Sequence, residues 1–155
     1  MTCMAKHDLS KREALSKAQA YCARSEHCAA DVRRKLIEWG VEESEDFFDF
    51  IEQNLRADGY LDDERFCRAY VHDKVAYQSW GRVKIQAGLQ ALQLPESVIQ
   101  EALLTIDEST YLANLRHLIS SQSSSSRDPH AEPKLLRFLA QRGFRYEEIQ
   151  RCLRA

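Results

Sequence analysis

The chain has 155 residues, 44% hydrophobic and 30% charged, with a formal net charge of -2. That is enough for one ordinary domain or a row of small modules. The scarcity of turn residues (five Gly, three Pro) and the lack of any alternating valine- or isoleucine-rich run argue against a sheet protein. No apolar stretch approaches the roughly 18 residues of a membrane span, and residues 1–8 are polar and lack the apolar core of a secretion signal; the expected compartment is the cytoplasm.

Taken in order, residues 1–9 read as a flexible lead. A first helix starts at Ser10, where Ser10-Lys11-Arg12-Glu13 has capping-box form. Its apolar residues are Leu15, Ala18, Tyr21 and Cys22. After a break at residues 25–27 a second helix turns Val32, Leu36 and Trp39 inward and ends at Gly40, suited to a left-handed turn. The third helix carries Phe47, Phe50, Ile51 and Leu55 and closes at Asp58-Gly59. Asp62 or Asp63 caps a fourth, with Phe66, Ala69, Tyr70 and Val71 inward. A fifth aligns Ile85, Leu89 and Leu92, and Pro95 stands at the opening of a sixth with Val98, Ile99, Ala102, Leu103 and Ile106. A seventh follows with Tyr111, Leu112, Leu115, Leu118 and Ile119. The serine-rich stretch within 120–132 reads as a mobile loop, because it has too little apolar area to offset the entropy of ordering it. Leu135, Leu136 and Leu139 belong to an eighth helix, and Ile149 and Leu153 to the last.

One phrase recurs about every 50 residues: Leu36-Ile37-Glu38-Trp39-Gly40-Val41, Leu89-Gln90-Ala91-Leu92-Gln93-Leu94 and Leu139-Ala140-Gln141-Arg142-Gly143-Phe144. Downstream, Ile99, Ala102 and Leu103 are in step with Ile149, Cys152 and Leu153, and one inserted residue brings Phe47, Phe50 and Ile51 into the same slots. The period predicts an all-α chain of three tandem three-helix modules, about nine helices in an elongated, curved array. Their expected bounds are 10–60, 61–107 and 108–155.

The odd number of scattered cysteines, Cys3, Cys22, Cys28, Cys67 and Cys152, spells out neither a disulfide framework nor a zinc site. Reduced, buried thiols are the simpler reading, and His27-Cys28 has no further ligands at metal spacing. No nucleophile elbow or phosphate loop appears, so neither catalytic residues nor a cofactor is expected. Charge is unevenly distributed: residues 42–64 hold ten acids against Arg56, whereas residues 65–92 and the stretch from 133 onward are basic. Arg33, Arg34 and Lys35, then Arg82 and Lys84, then Lys134 and Arg137 are the candidate partner-binding residues.

Gly59-Tyr60-Leu61-Asp62-Asp63-Glu64-Arg65-Phe66 followed by Ala69-Tyr70-Val71 resembles the signature of the RecX family. Tyr21-Cys22-Ala23-Arg24 leading into Arg33-Arg34-Lys35-Leu36, and Arg137-Phe138-Leu139 with Arg142-Gly143-Phe144, resemble it too. The likeness covers residues 14–153. It departs at Gly81-Arg82-Val83, where the family has a glycine-proline step, at Leu92-Gln93-Leu94, which lacks the glycine turn, and at Cys28, where a capping serine is expected. The resemblance implies a protein that binds the RecA filament on single-stranded DNA and restrains its growth, ATP hydrolysis and strand exchange. The further expectations are a monomer that is not an enzyme, with weak direct DNA contact and no membrane association. Rival readings are a direct nucleic-acid binder and a helical interaction scaffold without a recombinase partner. The capping logic explains Gly59-Tyr60-Leu61-Asp62-Asp63 without any chemistry.

Overall fold

The computed structural model describes residues 9–122 and 131–154. Among them are nine α-helices and no strand: α1 Lys11–Arg24, α2 Ala29–Glu38, α3 Glu45–Ala57, α4 Asp63–Gln78, α5 Arg82–Ala91, α6 Glu96–Leu103, α7 Glu108–Gln122, α8 Ala131–Gln141 and α9 Tyr146–Arg154. The chain forms two compact units that divide between residues 66 and 67, within α4. Of the expected flexible lead, residues 1–8 lie outside the described residues, as does most of the serine-rich stretch, while Leu9 packs half-buried against the first core. Ser120, Ser121 and Gln122 are helical, because α7 runs on through the polar residues after Ile119.

In the first unit α1, α2 and α3 all pack against one another. Their core holds Ala14, Ala18, Cys22, Val32, Leu36, Phe48, Ile51 and Leu55. Small residues four apart on α1 let α3 come close, so the larger Leu15 and Tyr21 flank the contact half-buried instead of filling it. Ser10 accepts the Glu13 N–H at 3.2 Å. Glu13 returns to the serine hydroxyl at 3.1 Å, not to its amide as the capping-box form suggests.

In the second unit α5 packs on α6, and α7, α8 and α9 pack on one another. Ile85, Leu89 and Ile99 are fully buried. Tyr111, Leu115, Leu139, Phe144 and Ile149 make the core of the last three helices.

The recurring phrase is a recurring helix stop. Gly40, Gln93 and Gly143 all have positive φ, at 82°, 61° and 97°. In each case the next residue's N–H reaches back to the leucine five positions earlier: Val41 to Leu36 at 3.1 Å, Leu94 to Leu89 at 3.4 Å and Phe144 to Leu139 at 3.1 Å. This is the Schellman geometry, and it drives Val41, Leu94 and Phe144 into the interior. The copy without glycine thus makes the same turn, with Gln93 strained in the left-handed region.

From these stops to the next helix start the first copy is two residues longer than the others, since α3 begins at Glu45 while α6 and α9 begin at Glu96 and Tyr146. One inserted residue is therefore the wrong register. With two, Phe48 matches Ile99 and Ile149, and it is Phe48 that is buried, with Phe47 and Phe50 half-buried. Pro95 is the cap of α6, not its first residue, and its carbonyl accepts the Ile99 N–H at 3.0 Å.

Candidate partner-binding surfaces

The basic residues of α2 sit on its outer side, opposite Val32 and Leu36. Each meets an acid. Arg33 pairs with Glu45 and lies 4.5 Å over the Phe48 ring. Arg34 reaches Asp31 at 3.3 Å, and Lys35 reaches Glu38 at 3.2 Å. Asp31 is the fixed member of its pair, 14% exposed and also accepting the Cys28 N–H at 3.3 Å, whereas Arg34 is 61% exposed. Such solvent-facing pairs contribute about 0–1 kcal/mol each, so a partner's carboxylate or phosphate can displace them.

Arg82 is placed differently. Its guanidinium lies 4.1 Å over the Tyr111 ring, one arm reaches Glu148 Oε1 at 3.0 Å and another pairs with Glu108. Its N–H donates to the Tyr111 hydroxyl at 3.1 Å, a bond that a proline at this position could not make. Burial works against the charge of Arg82, but the hydrogen bonds it donates to Glu108 and Glu148 outweigh it and hold the guanidinium above its usual pKa range. Arg82 is therefore engaged within the second unit, with a side chain only 19% exposed.

The partner of Arg82 is the buried Glu148, which is 8% exposed. Its Oε2 accepts the Tyr111 hydroxyl at 2.8 Å and the Arg145 N–H at 2.9 Å. Burial and the neighbouring Glu148 push the Tyr111 phenol well above its ordinary pKa. Sequence reasoning missed this glutamate, which reads as one of two acids in the exposed first turn of α9. The available signal is its place at the third position of that helix, where a glutamate closes a capping box.

Beside this network the start of α5 meets the α8–α9 turn backbone to backbone. Gly81 N–H donates to Arg142 O at 2.7 Å and Val83 N–H to Gly143 O at 3.0 Å. A Cβ on Gly81 would lie 2.2 Å from the Gly143 carbonyl carbon, and one on Gly143 would lie 2.4 Å from Lys84 Cβ. Both glycines are required for this approach. The joint roots Lys84, whose Nζ lies 4.3 Å from the Trp80 ring; Lys74 Nζ lies 4.5 Å from the same ring.

On α8, Lys134 and Arg137 are exposed, and Arg137 Nε reaches Pro133 O at 3.5 Å. Counting back from the three buried leucines before each stop, Lys84 and Lys134 hold equivalent places, as do Arg34 and Arg137. Four of the candidates thus fall into two repeated positions, Arg33 and Lys35 have no counterpart among them, and Arg82 is set apart by its internal pairing.

Cys22, Cys28 and Cys67 are buried and Cys152 half-buried. Burial, with Glu26 nearby, pushes the Cys22 thiol up to about 11, which keeps it protonated at neutral pH. Among the described residues no group of three or more His, Cys, Asp or Glu is placed to hold a metal ion, and no helix is long and apolar enough to cross a membrane.

Residues 62–103 match the model of the RecX second three-helix domain. A regulatory protein RecX of Thermus thermophilus is 35% identical over 135 residues, covering 85% of this chain and 84% of that protein. That of Pelodictyon phaeoclathratiforme is 31% identical over 130 residues, covering 83% and 79%. The match to the Geobacillus kaustophilus regulatory protein RecX, 34% identical over 140 residues, takes in 86% of this chain but only 49% of the relative, so the chain spans about half that protein's length. The crystal structure of RecX from Lactobacillus salivarius shares the fold at a TM-score of 0.79 and 17% identity, over 93% of this chain and 94% of that one. With relatives more than 30% identical aligned over most of both chains, this chain belongs to the RecX family of regulatory proteins.

Proposed function

We propose that this protein acts in the cytoplasm as a monomer that binds the RecA filament on single-stranded DNA and restrains its ATP hydrolysis and strand exchange. Membership of a family of regulatory proteins carries the reading. Arg33, Arg34, Lys35, Lys84, Lys134 and Arg137 are the proposed contacts, and Arg82 positions the start of the helix that bears Lys84. Weakly paired cations on repeated helices suit a partner met at several points, because modest contacts add through effective concentration.

The test is the ATPase rate of RecA on single-stranded DNA with the purified protein added at substoichiometric and equimolar ratios. The rate should fall at the lower ratio, as a filament regulator requires. An unchanged rate at equimolar protein, with binding absent by co-sedimentation, would overturn the proposal in favour of an interaction scaffold with another partner.

A further inference from the structure

In the first unit, α1, the 25–27 link and α2 line an open concavity of about 470 Å³, bounded by Lys17, Tyr21, Arg24, His27, Lys35 and Trp39 among others. That lies within the roughly 300–1,000 Å³ of pockets that enclose small ligands. Tyr21 and His27 are stacked with ring centroids 3.8 Å apart, and Trp39 stands edge-on to Tyr21 at 6.3 Å. The His27 ring is held from both nitrogens, by Ser25 Oγ at 3.0 Å and Asp31 Oδ2 at 3.4 Å. Its place on Tyr21 is thereby fixed.

Cations surround these rings. Lys17 Nζ lies 4.8 Å from the Trp39 centroid and Lys35 Nζ 5.6 Å from the Tyr21 centroid. Lys35 is paired with Glu38. Among the described residues no carboxylate pairs with Lys17 or Arg24.

We infer that this pocket binds single-stranded nucleic acid, with a base received among Trp39, Tyr21 and His27 and the flanking phosphates met by Lys17, Arg24 and Lys35. Flat rings beside flexible cations fit a chain that alternates π-faces with phosphates. A duplex keeps its base faces stacked and cannot offer them to rings inside a pocket. An acidic peptide would satisfy the cations but leave the stacked rings unused. The site needs no recombinase, so its test is separate from that of filament regulation.

The chain has two tryptophans, so Trp80→Phe leaves Trp39 as the sole reporter. The full-length protein is titrated with an oligothymidylate of about 12 nucleotides, within the ~4–16 nucleotide sites typical of single-strand grooves. Tryptophan quenching and the anisotropy of labelled oligonucleotide are both read. Quenching should saturate in step with anisotropy, and a duplex of equal length should quench Trp39 far less. Lys17→Gln with Arg24→Gln, both on the exposed side of α1, should keep full helicity, weaken binding about tenfold and flatten the salt dependence by about 0.7 per lost phosphate contact. Binding at wild-type strength by that folded variant would overturn the proposal, as would absence of quenching. So would an equal loss in Arg12→Gln with Arg116→Gln, exposed cations outside the pocket. Equal quenching by polyglutamate or inorganic polyphosphate would also overturn it, showing that the pocket reads negative charge alone.

Discussion

Tyr111 donates its hydroxyl hydrogen to Glu148 at 2.8 Å in the interior of the second unit, and the same oxygen accepts the N–H of Arg82 at 3.1 Å. One phenol oxygen therefore serves α5, α7 and α9 at once. Tyr111→Phe keeps the ring against Phe144 but leaves a buried carboxylate oxygen and a backbone N–H each short of a partner. It should destabilise the protein by about 1–3 kcal/mol, read as a lowered denaturant midpoint with unchanged slope. An unchanged midpoint would show that water replaces the hydroxyl without loss.

The left-handed Gln93 gives a prediction of opposite sign. Its φ of 61° is a conformation that glycine adopts freely, and Gly40 and Gly143 fill the equivalent turns. Gln93→Gly relieves about 1–2 kcal/mol of strain and returns part of that as extra freedom in the unfolded chain. The net expectation is a gain of about 0.5–1 kcal/mol in chemical denaturation. A loss of stability would mean that the glutamine side chain holds the turn.

Alkaline pH should weaken the fold. The Cys22 thiol is pushed up to about 11 from an ordinary 9.0, and Tyr111 is raised too, in both cases chiefly by burial. Because the folded state holds these protons more tightly, the stability they contribute is fully present below the unfolded pKa values. It is lost as pH rises through the folded ones. For Cys22 the window is pH 9 to 11. Thermal midpoints should fall across it, and Cys22→Ala should make the fall shallower; parallel slopes for the two proteins would exclude Cys22 as a source.

Charge reversal separates contact from architecture. Arg34→Glu with Lys84→Glu removes one exposed and one half-buried cation and should leave helicity nearly intact while weakening inhibition of RecA ATPase, most clearly at low salt. Arg82→Gln should instead lower stability, because it leaves Glu148 buried without its cation. Full inhibition by the folded double variant would remove Arg34 and Lys84 from the contact surface.

The helices and their stops were legible because period and punctuation are local: Ser10, Asp62, Gly40 and Gly143 act within a few residues of themselves. Asp62 Oδ1, for instance, accepts the Arg65 N–H at 3.0 Å. What escaped was set by distant residues. Gln93 carries no glycine signal, yet the burial of Leu94 enforces the same turn. Two extra residues between Gly40 and α3 rotate that helix and exchange Phe47 for Phe48 in the core. Arg82 reads as a surface cation until Glu148, far along the chain, claims it. The grouping of Lys17, Tyr21, Arg24 and Trp39 likewise depends on how α1 and α2 pack, which no short window of sequence records.

The glycine-to-glycine joint also bears on the order of assembly. During synthesis Gly81 and Val83 leave the ribosome well before Arg142 and Gly143, the residues whose carbonyls they require. Until the α8–α9 turn has emerged, the leading end of α5 must donate its N–H groups to water. A nascent chain interrupted before that turn would carry the middle helices with one end unfastened.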